Sequence, residues 1–464
     1  MRYEVQLPDN KSLKIRRMVL DYVRGLEIPP VSDADGSDVR VTWRALQTIR
    51  EASVETRRAA SLQQDNSVIG TVETRHGTSL QRRNPALSPV VIDVADCGAA
   101  YRFLMPVLAA TPGLWLLTGT VRLLQRPILP LVEVLRGIGA EIERVEDGWL
   151  IRGKTLPSVE TRQGTSLQKD NSVVGTVETQ NFASLQRVKN GGLSLTLDAS
   201  QSSQMASALV LAAPLLGLRT LRLTTTDIPS LSYLRMTLAL ARDWPVVIPG
   251  VEVLDTPIGA PGDWSAALFW FAHARLHPEN EYVLSPLSLE SIQGDSVIVK
   301  WFREMNVIVS GRDAARNRDA KFCVSTSSCI ENTKSSSIEI TAKPLERMPQ
   351  MILDVSDNLD TVPVMAALAA LLPADLNFQN VRNLRYKESD RLAALTEQLS
   401  PYAEIALSDN ALRVCGRGGI IVPGASFNTH HDHRLAMAFL LFPDAVLDDV
   451  GCLEKSYPGL MEQI

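Results

Sequence analysis

A short apolar strand, a polar turn and an apolar helix follow one another repeatedly in this chain, and no other feature restricts its fold so tightly. Residues 90–94 read as a strand that passes through Asp96-Cys97-Gly98 into an apolar helix over 104–110. Residues 193–197 lead through a run of hydroxyls and amides into helical residues 205–212, and 218–223 lead to a helix opening around Ser230. Further on, Asp263-Trp264-Ser265 precedes the apolar stretch 266–274, and Gln293-Gly294-Asp295 precedes 297–302. This alternation predicts an α/β fold. It also sets polar residues at one helix start after another, where unpaired backbone N–H groups and the helix dipole favour a bound anion.

At 464 residues the chain exceeds what one core ordinarily fills, so two domains are expected. The formal net charge of -5 offers no general attraction to nucleic acid or acidic lipid. An anion site must therefore be a local basic pocket. The five cysteines, at 97, 323, 329, 415 and 452, are too scattered for a disulfide framework, and their spacing is not that of a zinc site. The start MRYEVQLPDNKSLKIRR holds no apolar signal region, and no apolar run approaches the roughly 18 residues of a membrane span. Cytoplasmic residence is the expectation.

Two polar stretches interrupt the alternation. Residues 53–82 and 158–187 are 30-residue copies that agree at 21 positions without gaps. Only two full copies exist, and neither has a continuous apolar face, which argues against a solenoid and for insertions at the surface of a pre-existing fold. Long insertions cost little in loop-closure entropy. The helix expected over 33–46 should accordingly end before residue 53.

Several polar clusters suit chemistry on small anions. A helix beginning near Asn10 would carry Lys11, Ser12 and Arg16 at its N-terminal end. Arg122 and Arg126, four apart beside Pro127, could clamp an anion. Ser202, Ser203 and Gln204 offer neutral donors, and Ser230 and Tyr233 open the next helix. The stretch Arg385-Tyr386-Lys387-Glu388-Ser389-Asp390-Arg391 packs charges of both signs into seven positions. Together with Arg434 and Lys455 these form a set of cations around Asp360 and Glu388, the carboxylates best placed to act as acid and base. Asp354, Asp357 and Asp360 lack the calcium-loop pattern, and His430, His431 and His433 lack zinc spacing, so no metal is expected. Neither GxGxxG nor GxxxxGK[ST] occurs, which disfavours a nucleotide cofactor; no cofactor is expected.

The segments LPDNKSLKIRR, DCGAAYRFL, LTGTVRLLQRPI, SQSSQ, SIQGD, LDTVPVMAALA, LRYKESDR, HDHRLAMAF and CLEKSYP, taken together and in this order, resemble the EPSP synthase family of enolpyruvyl transferases. The resemblance implies a two-lobed inverse α/β barrel, each lobe built from three βαβαββ units. The first lobe would span 9–255 and carry the inserts 53–82 and 158–187. The second would be discontinuous, from 1–8 and 256–464. It further implies a monomer whose small-molecule substrates are shikimate-3-phosphate and phosphoenolpyruvate, with no nucleic acid or membrane partner. The enolpyruvyl group would pass to the 5-hydroxyl of shikimate-3-phosphate by addition and elimination through a tetrahedral intermediate.

By the same resemblance shikimate-3-phosphate meets Lys11, Ser12, Arg16, Ser202, Ser203 and Gln204, together with Ser230, Tyr233, Asp360, Asn383 and Lys387. Phosphoenolpyruvate meets Lys11, Gly98, Arg122, Gln204, Arg391, Arg434 and Lys455. Glu388 would handle the methyl–methylene proton, Asp360 would orient or deprotonate the 5-hydroxyl, and Lys11 would assist the departing phosphate. The chain departs from the family pattern at Asp9-Asn10, where glycine and serine are usual, and at Ala99, Leu231 and Ser232. Asp96 replaces a usual asparagine and would repel phosphoenolpyruvate unless Arg122 or another cation pairs with it. Two alternatives stay open: a UDP-N-acetylglucosamine enolpyruvyl transferase of the same fold, and a catalytically silent small-anion-binding protein.

Overall fold

The computed structural model describes residues 1–65, 88–154, 186–187, 192–253, 255, 258–312, 336–345, 349–418 and 423–464. Among the described residues three four-stranded sheets share one wiring. In the first, Val90–Asp93 runs parallel to Gly113–Thr118, which pairs antiparallel with Gly148–Gly153, itself antiparallel to Glu141–Val145. The helices Gly98–Ala110 and Leu129–Gly137 fall between successive strands, giving a βαβαββ order. Gln350–Asp354, Asp375–Gln379, Ala403–Leu407 and Ala411–Gly416 repeat this order and sense with helices Val362–Leu371 and Arg391–Leu399. In the third sheet Arg2–Gln6 supplies the first strand, parallel to Glu281–Ser285, and Val307–Arg312 and Ser337–Ala342 complete the pattern. A three-stranded sheet contains Leu193–Leu197 parallel to Leu218–Leu223, and a two-stranded one joins Ser426–Phe427 to Val446–Leu447.

The apolar side chains of the described residues gather into two cores. One collects residues from Leu13 to Ile248, with Ile292 added from later in the chain. The other takes Val5 and Leu7 and then residues from Trp264 to Leu460. Helices such as Gly98–Ala110, Trp264–Leu276 and Val362–Leu371 are buried almost all round, as expected of helices packed between layers rather than on a surface.

One expected boundary is corrected. The helix that starts at Ser37 does not end before residue 53 but runs to Asp65, into the first repeat copy. The absence of an apolar face in SVETRRAASLQQD is a statement about packing, whereas Glu, Arg, Ala, Leu and Gln carry high intrinsic helix propensity. The rest of that copy, residues 66–82, and residues 158–185 of the second lie outside the described residues, as do Cys323 and Cys329. Residues 186–187 pair with Leu193 and Ser194.

Candidate active site

Helix starts position most of the polar side chains. Asn10 caps Lys11–Val23 by accepting from the Leu13 amide, Cys97 caps Gly98–Ala110, and Ser202 caps the helix Ser203–Leu211. Ser230 precedes the helix Leu231–Leu240 at a φ of 56°, in the left-handed region, and its own side chain makes no cap. The strain is held by contacts to the other core: the Ser230 amide donates to the Ser356 carbonyl at 2.7 Å, and the Ser232 amide to Asp357 Oδ1 at 2.6 Å.

These elements enclose a cavity. Ser12, Ser202, Ser203, Gln204, Ser230 and Tyr233 line it from one core, and Asp360, Asn383 and Lys387 from the other. Arg102 and Arg126 also line it. Arg102 donates to Gln204 Oε1 at 2.8 Å and to the Pro127 carbonyl, fixing the amide's orientation. Arg16 lies behind the wall, 1% exposed, between the Phe103 ring at 5.0 Å and the Tyr233 ring at 5.6 Å. Its Nε donates to Thr237, and its Nη2 has no hydrogen-bond partner among the described residues. Burial lowers its pKa to about 10, against a smaller raising effect of Tyr233.

Beside the cavity Arg391 ties three carboxylates together. Its Nη1 donates to Asp360 at 2.8 Å and its Nη2 to Glu388 at 2.9 Å, while Nε and Nη2 make a fork with Asp432 at 2.8 and 3.0 Å. Lys387 reaches Asp360 at 2.9 Å, and Arg126 reaches Glu388 at 3.3 Å. Burial alone would push the Asp360 carboxyl up, but Lys387, Arg391 and Arg434 outweigh it and hold it well below the usual range. For Glu388 burial is likewise the largest single influence, overcome by Arg126, Arg391 and Lys455 acting together. Both carboxylates are therefore ionised at neutral pH.

Lys11 donates to Asp38 Oδ2 at 3.0 Å and lies 3.4 Å from His433 Nε2. Burial, then the neighbouring Lys11 and Arg434, hold His433 neutral. Lys455 pairs with Asp96 and lies 3.7 Å from Asp38. Asp96 thus has its compensating cation, and that cation is Lys455. Arg122 donates to the backbone carbonyls of Arg385, Lys387 and Glu388, so it grips the charged stretch itself. Gly98 sits against the Arg126 guanidinium; a Cβ there would meet Nη1 at 2.6 Å. Arg434 is 2% exposed, and its Nε has no partner among the described residues.

Sequence reasoning passed over four residues that the geometry brings in. Asp38 joins Lys11 to Lys455, His433 stands beside Lys11, Asp432 holds Arg391, and Asp295 accepts from Tyr233 at 3.1 Å and from Ser265. Asp432, His433 and Asp295 lay inside motifs already singled out. Asp38 carried no signal beyond an ordinary acidic helix start. Cys97, a conceivable nucleophile, is buried, and burial followed by Asp38 pushes its thiol up to about 12. No group of three or more His, Cys, Asp or Glu side chains among the described residues is placed to hold a metal ion. No helix among them is long and apolar enough to cross a membrane.

Repeated βαβαββ units beside a cavity lined by cations, with two ionised carboxylates on one arginine, define an α/β protein whose site suits multiply anionic ligands. A solved EPSP synthase structure from Acinetobacter baumannii has the same kind of fold, with a TM-score of 0.60 at 18% identity, covering 100% of this chain and 94% of that one. A second structure from that organism gives a TM-score of 0.58 at 16% identity over the same shares. The fold is thus enolpyruvyl-transferase-like. The family profile of EPSP synthase (3-phosphoshikimate 1-carboxyvinyltransferase) matches residues 34–175 and 162–464, and the chain belongs to that family. A 3-phosphoshikimate 1-carboxyvinyltransferase of Bacteroides fragilis is 30% identical over 388 residues, 80% of this chain and 81% of the relative. One from Methanospirillum hungatei is 25% identical over 100% of this chain and 95% of its own length. The family's reaction is the enolpyruvyl transfer that joins phosphoenolpyruvate to shikimate-3-phosphate in aromatic amino acid biosynthesis, and the protein is an enzyme of this type.

Proposed function

We propose that residues 9–255 form one lobe and residues 1–8 with 256–464 the other, each of three βαβαββ units in an inverse α/β barrel, with the reaction carried out between them. The division of apolar residues into two cores supports this reading: Val5 and Leu7 belong with the later residues, and Leu13 opens the other core. Shikimate-3-phosphate binds in the cavity through Lys11, Ser12, Arg16, Ser202, Ser203, Gln204, Ser230, Tyr233, Asp360, Asn383 and Lys387. Phosphoenolpyruvate lies beside it against Lys11, Gly98, Arg122, Gln204, Arg391, Arg434 and Lys455. The enzyme works as a cytoplasmic monomer, without metal or cofactor.

The observation that carries the reaction is the Arg391 guanidinium shared between Asp360 and Glu388. Asp360, ionised, accepts the 5-hydroxyl proton as the oxygen adds to C2 of phosphoenolpyruvate and C3 takes a proton to become a methyl group. Glu388, ionised in the free enzyme, takes up a solvent proton as the anionic substrates bind, gives it to C3 in the addition, and as a carboxylate takes one back from the methyl group when the C2–O bond to phosphate breaks. The hydroxyl proton held by Asp360 then passes to the departing phosphate, which restores the Asp360 carboxylate and leaves the enolpyruvyl ether and hydrogen phosphate as products. Lys11, beside neutral His433, stabilises the departing phosphate or protonates it.

Incubation with both substrates, with phosphate release and mass detection of the enolpyruvyl ether, tests the proposal. Equal amounts of the two products are expected. Binding of both ligands by folded protein without turnover would mark it as a silent anion binder.

A further inference from the structure

Lys455 is 4% exposed, and both of its closest oxygen contacts come from a single residue of the other core. Asp96 presents its carbonyl at 3.1 Å and its carboxylate in direct contact. Asp38 lies 3.7 Å away on another side. Of the three ammonium donors two go to Asp96, and Asp38 at 3.7 Å lies beyond hydrogen-bond distance, so the Asp96 carboxylate is the charge with which an incoming anion competes at Lys455. The two acids differ in one respect: the Asp38 side chain is 7% exposed, whereas that of Asp96 is 42% exposed. Asp96 is therefore the partner that solvent, and any solute in it, reaches more readily. Lys455 does not depend on the Asp96 carboxylate for its place. The turn Gly451–Lys455 is anchored through buried Leu453, and the Asp96 carbonyl and Asp38 remain as partners when that carboxylate is gone.

We infer that Asp96 is a specificity-determining residue, competing with the anionic substrate for Lys455 and so setting how tightly phosphoenolpyruvate is held without affecting shikimate-3-phosphate. The inference rests on the proposed placement of phosphoenolpyruvate against Lys455. The carboxylate acts through Lys455, whose charge it neutralises as long as the pair is closed. Because Asp96 is partly exposed, the effect is that of a solvent-screened pair, on the order of fivefold in affinity.

The test compares Asp96→Asn and Asp96→Glu with the unaltered enzyme. Calorimetric titration with phosphoenolpyruvate and, separately, with shikimate-3-phosphate gives the two affinities, and steady-state rates give KM and kcat. Asp96→Asn should tighten phosphoenolpyruvate about fivefold and lower its KM, with shikimate-3-phosphate affinity unchanged within twofold. Asp96→Glu, which keeps the charge, should stay near the unaltered enzyme. Unchanged or weaker phosphoenolpyruvate binding in Asp96→Asn overturns the inference, as does equal tightening in both variants, since charge would then not be the cause. Failure of the unaltered enzyme to form product is a separate outcome and counts against the proposed reaction instead.

Discussion

Replacing Asp432 by alanine removes a carboxylate that has 0% exposure and serves three partners at once. It forks Arg391 at 2.8 and 3.0 Å, accepts from Ser389 Oγ at 2.9 Å, and caps the helix His433–Phe439 through the Arg434 amide at 2.9 Å. Deleting one member of a buried, hydrogen-bonded ion pair costs about 3–5 kcal/mol, and losing a cap about 1 kcal/mol. Because Arg391 keeps Asp360 and Glu388, the lower part of that range applies, about 3–4 kcal/mol in all. For a cooperative unit of roughly 200 residues each kcal/mol lowers Tm by about 2–4 °C, so differential scanning calorimetry should show a fall of about 6–16 °C. Asp432→Asn retains an oxygen for the cap and should lose about half as much. A fall under about 2 °C for the alanine variant, or equal losses in both, would refute the reasoning that a buried charge pair organises this side of the cavity.

Three further outcomes follow from the same geometry. Glu388→Gln keeps the shape of the side chain but not its capacity to carry a proton; turnover should fall at least about a hundredfold while calorimetric binding of both substrates persists. Gly98→Ala puts a methyl group 2.6 Å from Arg126 Nη1, displacing that guanidinium from Glu388, so KM for phosphoenolpyruvate should rise with little change in Tm. Asp360 and Glu388 have folded-state pKa values well below their ordinary 3.8 and 4.5. Their stabilising contribution is thus complete above about pH 4.5 and is lost as pH falls below that towards the folded values. Thermal melts between pH 6 and pH 3 should show Tm falling towards the acid end, and less steeply in Glu388→Gln; parallel slopes would remove Glu388 from the account.

Much of this architecture could be read from residue pattern, because strand and helix periods and cap residues are local. The strands Leu193–Leu197 and Leu218–Leu223 fall where the pattern set them, and Asn10 and Asp263 cap the helices they precede. The helix through residue 65 was missed because propensity, not amphipathicity, sustains it. Site chemistry was legible as a collection of charges but not as pairs. Nothing local to Lys455 announces Asp96 or Asp38, 359 and 417 positions earlier, and nothing local to Arg122 announces that it grips the carbonyls of Arg385 to Glu388. Such pairings depend on how the two cores meet. The stretch RYKESDR shows the same division: Asp390 is an ordinary helix cap that accepts from the Ala393 amide at 3.1 Å, while Lys387, Glu388 and Arg391 join the network at the cavity.

Turnover in heavy water tests the central claim most directly. If addition converts C3 of phosphoenolpyruvate into a methyl group and elimination then removes one of its three hydrogens, the enolpyruvyl ether formed from shikimate-3-phosphate must carry solvent deuterium on its methylene carbon. Mass spectrometry of the product should find that label, and Glu388→Gln should form labelled product only at its much reduced rate. Product released together with phosphate but free of deuterium would contradict the addition–elimination route and the role given to Glu388.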